Sequence, residues 1–210
     1  RTDIRNLYGE DAELLKFPTV KGPHKLEYRM DEELSTLFAD TVDAICPPAT
    51  GESFDSDKHI GFYRYAAITQ FVDKDNKKLY EKRNLTVDSI TQRLQRIMRI
   101  LLVKRLESSL AAFKKTLENL NRYNDVMIDM LQHDCVFICP DIDVNKLHNE
   151  HKGNFAAFKA AVESVIEHKG GNNRCFKASD FNESYLEDLQ NDKLRIGSLL
   201  ERWRENTEDP

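Results

Sequence analysis

The sequence predicts a mainly α protein, with a long brace helix, shorter helices packed around it and a few short extended strands. Three observations predict this. Between Gly61 and Pro140 neither glycine nor proline occurs, so the middle of the chain has no strong helix breaker for nearly eighty residues. Apolar residues recur there at spacings of three and four, the period of a helix that buries one face. Charged residues make up 32% of the 210 residues and apolar ones 40%, and no run approaches the ~20 apolar residues of a membrane-spanning helix. A formal charge of −5 with a pI of about 5.7 is too balanced for a chain kept unfolded by self-repulsion. No basic-led apolar segment marks a signal peptide, and four cysteines suit a reduced compartment better than a disulfide scaffold, so a cytoplasmic location is expected. The chain opens at Arg1 without a Met and stops at Pro210, so a piece of a longer protein is expected.

Three regions follow in order. Residues 1–30 read as an extended segment, in which Leu26, Tyr28 and Met30 alternate with charges. Residues 31–132 read as a helical domain. Asp31 before Glu32 and Glu33 suits an N-cap and the positive end of a helix dipole. Leu34, Leu37, Phe38, Val42 and Ile45 then carry a helix that Pro47 and Pro48 stop. A polar loop over 49–58 leads to a helix from Ile60 to Phe71, closed by a loop at Asp73 to Asn76. The brace helix runs from Val87 to Gln132. Ile90, Leu94, Ile97 and Leu101 form a stripe on one side; Leu106, Leu110, Phe113, Leu117, Leu120 and Leu131 form one nearly opposite. Ile97 to Val103 is apolar almost all round. A single helix would therefore pack on different neighbours at its two ends and be enclosed near its middle; the alternative is a break near residue 103. Residues 133–210 read as a C-terminal helical region. Its elements are a buried strand at Cys135 to Cys139, a helix capped by Asn154 and ended by Gly170-Gly171, and a last helical stretch from about Asp180 through Trp203.

The motif search excludes several chemistries. No G-x-x-x-x-G-K-[ST] is present to cradle a triphosphate, and no G-x-G-x-x-G or G-x-S-x-G. Asp31-Glu32-Glu33-Leu34 has the letters of a Mg²⁺-holding acidic box, but such a box ends a fully apolar strand, and here Glu27 and Arg29 precede it. Cys135, Cys139, His148 and His151 are the residue types of a zinc site. Val136, Phe137 and Ile138 between the cysteines read as a core strand and the histidines as a solvated segment, so no metal is expected. Cys135 and His133 have no third group to make a catalytic pair.

Charge is more informative. From Lys82 to Lys115 there are nine basic residues against only Asp88 and Glu107, so the brace helix is a basic rod in an acidic chain. On its second half Lys104, Lys115 and Arg122 point away from the Leu106–Leu117 stripe and are available to a partner. That partner is either phosphate or protein, or the face is simply solvated.

Arg1-Thr2-Asp3-Ile4, Lys16 to Lys21, Leu26-Glu27-Tyr28 and Asp31-Glu32-Glu33 together resemble the segment after the first motor lobe of Swi/Snf-type superfamily-II helicases and translocases. The string from Leu101 to Leu117, LLVKRLESSLAAFKKTL, is similar to a helix signature of a bacterial branch of that family. Trp203 followed by Glu208-Asp209-Pro210 resembles the junction where the second lobe begins. The resemblance implies the helical region between two RecA-like lobes of an ATP-driven DNA motor. Residues 1–30 would follow the first lobe and residues 133–210 lead to the second. ATP and Mg²⁺ would be held by the parent chain and no cofactor by this segment, which would not be an enzyme alone. It implies that Lys104, Arg105, Glu107, Ser108 and Ser109 brace a motor lobe, with weak or indirect contact to duplex DNA. A free-standing helical interaction module is the rival expectation.

Overall fold

A computed structural model describes residues 22, 30–47, 54–55, 58–81 and 85–205. The expected strand over Leu26 to Tyr28, most of the polar loop, and the motifs at Arg1 to Ile4, Lys16 to Lys21 and Glu208 to Pro210 lie outside these residues. The described chain is mainly helical, with long helices and two short strands.

Helix α1 (Glu32–Ile45) starts where the acidic string predicts: Asp31 Oδ1 accepts from the Leu34 amide at 2.7 Å, and Glu32 and Glu33 occupy the first turn. The segment read as a helix from Ile60 to Phe71 is instead a tighter 3-10 helix, Tyr63–Gln70. Its entry explains the difference. Phe62 is left-handed, with φ 57°, an uncommon state for a bulky residue. The Asp192 carboxylate holds it there by accepting from the Gly61 amide at 2.6 Å and the Tyr63 amide at 2.8 Å. A Cβ at Gly61 would run into the Tyr63 ring, so a side chain there would have to displace it. The expected loop at Asp73 to Asn76 contains a short helix, α2 (Lys74–Lys78), begun by Asp73 accepting from the Asp75 amide at 2.9 Å.

The brace region departs most from expectation. It is two helices, α3 (Val87–Ser108) and α4 (Leu110–Gln132), of 22 and 23 residues. They are joined by Ser109 alone, extended at φ −167°, ψ 121°. The chain is continuous helix through residue 103, so the break falls beyond the alternative position. Counting both stripes at ~100° per residue assumes one axis, and across Ser109 that axis does not continue.

Strand β1 (Val136–Ile138) is buried throughout and pairs antiparallel with β2 (Arg174–Phe176), with Phe137 opposite Cys175. Between them lie α5 (Val144–Glu150), which the charged segment concealed, and α6 (Phe155–Lys169). Asn154 caps α6 by accepting from the Ala157 amide at 3.0 Å, and Gly170, at φ 62°, ends it. The last helix is α7 (Tyr185–Glu205), entered through a short 3-10 turn at Ala178–Asp180.

Two apolar clusters form the core. One gathers Phe71, Tyr80, Val136, Phe137, Phe158, Phe176, Phe181 and Tyr185 with Met127 and Met130 of α4. The other gathers Leu37 and Ile45 of α1, Leu102 and Leu106 of α3, Phe113 and Leu117 of α4, and Ile196, Leu199 and Trp203 of α7. Helices α4 and α7 each contribute to both, and so does the stretch from Ile60 to Phe71. Trp203 closes the second cluster: its indole N–H donates to Thr41 Oγ1 at 2.9 Å and its ring meets Phe113 edge-on at 5.8 Å.

Candidate interaction surface

The residues of the KRLESS string fall at the joint between α3 and α4. Ser109 serves both helices. Its amide donates to the Arg105 carbonyl at 2.9 Å, closing α3, and its Oγ accepts from the Ala112 amide at 3.2 Å, opening α4. Ser108 Oγ donates to the same Arg105 carbonyl at 3.3 Å. The two serines therefore have a local role, in turning the chain. Lys104, Arg105 and Glu107 are exposed on the last turns of α3. Lys115 and Arg122 are exposed too, but on α4. Lys115 pairs with Glu118 at 3.2 Å, and Arg122 donates to Asn119 at 2.8 Å and lies over the Tyr123 ring. The basic residues thus divide between two helices and do not line one continuous face.

The apolar stripe on α3 is the larger correction. Ile90, Leu94, Ile97 and Leu101 were expected to pack on a neighbour, and Ile97 to Val103 to be enclosed. Only part of this stretch is covered: Leu102 is buried and Met98 and Val103 partly so, whereas Leu94 is 42% exposed, Ile97 50%, Ile100 45% and Leu101 44%. The face that α3 buries carries Val87, Thr91, Leu102 and Leu106. It is held down by Gln95, which donates to the Gly61 carbonyl at 3.0 Å, and by Phe62, whose ring lies under the Arg99 guanidinium at 5.7 Å. At its N-terminal end the exposed stripe opens into a mostly apolar groove of about 560 Å³, lined by Ile90 and Leu94 with Ile68, Leu79, Tyr80 and Pro140.

The cysteine and histidine cluster does not converge. Among the described residues no group of three or more His, Cys, Asp or Glu side chains is placed to hold a metal. Cys135 lies instead beside Cys175, with the sulfurs 2.8 Å apart; partial burial of the sulfur and then the Cys135 thiol beside it push the Cys175 thiol up to about 12, and partial burial pushes the Cys139 thiol up to about 11. His148 is not on a solvated face: its Nε2 lies 2.7 Å from Asp129 Oδ2, and its ring meets Phe158 edge-on. His133 approaches the other oxygen of Asp129 at 3.2 Å and stacks on Phe155.

Asp192 escaped the motif search. It is 2% exposed, and burial raises its carboxyl to about 6 against the pull of the backbone amides of Tyr63 and Gly61. The signal was present: Tyr185, Leu189, Asp192, Ile196, Leu199 and Trp203 recur at four- and three-residue steps, and Asp192 is the polar member of that apolar stripe.

No described helix is long and apolar enough to cross a membrane. Comparison with family models, with curated proteins and with solved structures finds no match for the chain.

Proposed function

We propose that this chain is an accessory helical segment of an ATP-dependent DNA translocase or helicase of the Swi/Snf type, bridging two motor lobes and passing their movement toward duplex DNA. The single observation that supports it is the α3–α4 pair with its KRLESS joint. Two long helices, seated on the rest of the chain by Gln95, Phe62 and two apolar clusters, meet at one residue. The string that resembles the motor family is the string that makes this joint. A segment of this kind contacts other bodies through Lys104, Arg105 and Glu107, while Ser108 and Ser109 set the angle between the helices. ATP, Mg²⁺ and turnover belong to the parent chain in this reading.

The test is made on the parent gene. A P-loop upstream and a Q-x-x-G-R-x-x-R-like motif downstream are expected, and charge reversal at Lys104 and Arg105 should lower DNA-stimulated ATPase more than basal ATPase. Flanks without nucleotide-binding motifs would overturn the reading. A second reading, a helical protein-interaction module with no motor attached, is favoured by one separate observation: the apolar stripe on α3 that is exposed among the described residues.

A further inference from the structure

The stripe on α3 has the spacing of a helix-pairing seam. Ile90, Leu94, Ile97 and Leu101 follow steps of four, three and four residues, as in a heptad. At ~100° per residue they fall within about 60° of one another, a straight line some three turns long. Three of the four are more than two-fifths exposed, and Ile90 and Leu94 also line the groove at the seam's N-terminal end. A stripe of large aliphatic side chains at this spacing is costly to leave in water and fits the knobs of one facing helix.

The flanks say which helix. Lys104 and Arg93 border the seam on one side and Arg105 on the other; all three are exposed. The acidic residues of α3, Asp88 and Glu107, sit about 100° or more away from its centre line; Glu81 and Asp141 line the groove at the seam's N-terminal end, where Arg93 also lies. A second copy packed seam to seam would bring no carboxylate of its own α3 face to these cations. Duplex DNA would satisfy the cations but leave four aliphatic side chains against phosphate and water. An acidic amphipathic helix answers both the apolar line and its basic border. We infer that the exposed α3 seam is a docking site for one acidic amphipathic helix of a partner protein, laid along Ile90 to Leu101 with its carboxylates toward Arg93, Lys104 and Arg105. The inference does not rest on the motor reading, and its test is independent of any ATPase.

Two synthetic peptides of about three heptads serve as probes, both with leucine at the core positions. One carries glutamate at the flanking positions and the other lysine. Binding is read by fluorescence anisotropy against the full chain. The acidic peptide should bind with a Kd on the order of 10 µM at low salt, weaken as salt rises, and bind at least ~10-fold better than the basic one. Ile97→Glu should abolish binding and leave the melting temperature unchanged, since Ile97 is half-exposed. Leu194→Glu, at a comparably exposed leucine on α7, should leave binding intact. Equal binding of both peptides, or binding indifferent to Ile97→Glu, would overturn the proposal. So would no binding, the result expected if a second copy or this chain's own residues 1–21 already cover the seam. A duplex oligonucleotide that binds with the same dependence on Ile97 would replace the helix by DNA.

Discussion

Asp192 shows how much one residue holds. Its carboxylate sets the left-handed Phe62, and through Gly61 and Tyr63 it fixes the entry of the 3-10 helix on which α3 rests. Burial raises its folded-state value to about 6 from the ordinary 3.8. The folded chain therefore keeps a proton that the unfolded chain gives up first. This group favours folding most below about pH 4, and the contribution is lost as pH rises through about 6, on the order of 3 kcal/mol for a shift of about two units. Asp192→Asn should remove this decline, which urea melts between pH 4 and 7 would read as a flatter stability profile. Asp192→Ala should cost more at every pH, by roughly 1–3 kcal/mol for each buried amide left without an acceptor. A profile in Asp192→Asn that matches the unaltered chain would mean the carboxylate is not buried in solution. The position was legible as the polar member of an apolar stripe. Its role was not, because its partners lie more than a hundred residues away and are backbone amides, which carry no mark in a sequence.

At the scale of elements, the joint at Ser109 explains why a breaker-free stretch was read as one helix. Breaking a helix does not require glycine or proline. A serine that turns extended and caps the next helix does so with an ordinary residue, and the Ser108-Ser109 pair before Leu110 was its only trace. Ser109→Ala should lower stability by about 1 kcal/mol through loss of the cap. Leu102→Pro, in the continuous part of α3 and fully buried, should cost about 3 kcal/mol or more and reduce helicity by circular dichroism. The β1–β2 ladder makes another checkable statement. Exchange with glutathione disulfide should join Cys135 to Cys175, releasing two molecules of glutathione and leaving Cys46 and Cys139 reduced. Peptide mapping that finds both thiols free after such treatment would separate sulfurs that the fold places in contact. α1, β1 and α6 were readable because each is announced locally, by an Asp or Asn cap or by an unbroken apolar run. The 3-10 helix and the exposure of the α3 stripe were not, because both depend on what lies opposite.

For the whole molecule, the arrangement of the two clusters matters more than either alone. Helices α4 and α7 run through both, and Lys193 of α7 pairs with Asp125 of α4 at 2.5 Å between them. Leu117→Ala in one cluster and Met130→Ala in the other should each cost roughly 2–5 kcal/mol, and each should shift one cooperative transition rather than expose a second. Calorimetry with two resolved peaks would show that the shared helices do not couple the clusters. Helix period alone gave the mainly α class and the apolar faces, but not the sharing of α7 between two clusters, since spacing names a face and not its neighbour.

The link between Thr41 and Trp203 has a consequence for how the chain is made. A ribosome delivers α1 well before its partners: the indole that closes over it, and Arg202 that pairs with Asp40 at 2.7 Å, come 162 positions later. Until residue 203 is translated, Leu37, Ile45 and Phe113 belong to a cluster whose lid is missing. Nascent chains stalled before residue 203 should therefore be the ones that chaperones hold and proteases cut, while release of the last turn of α7 ends that exposure.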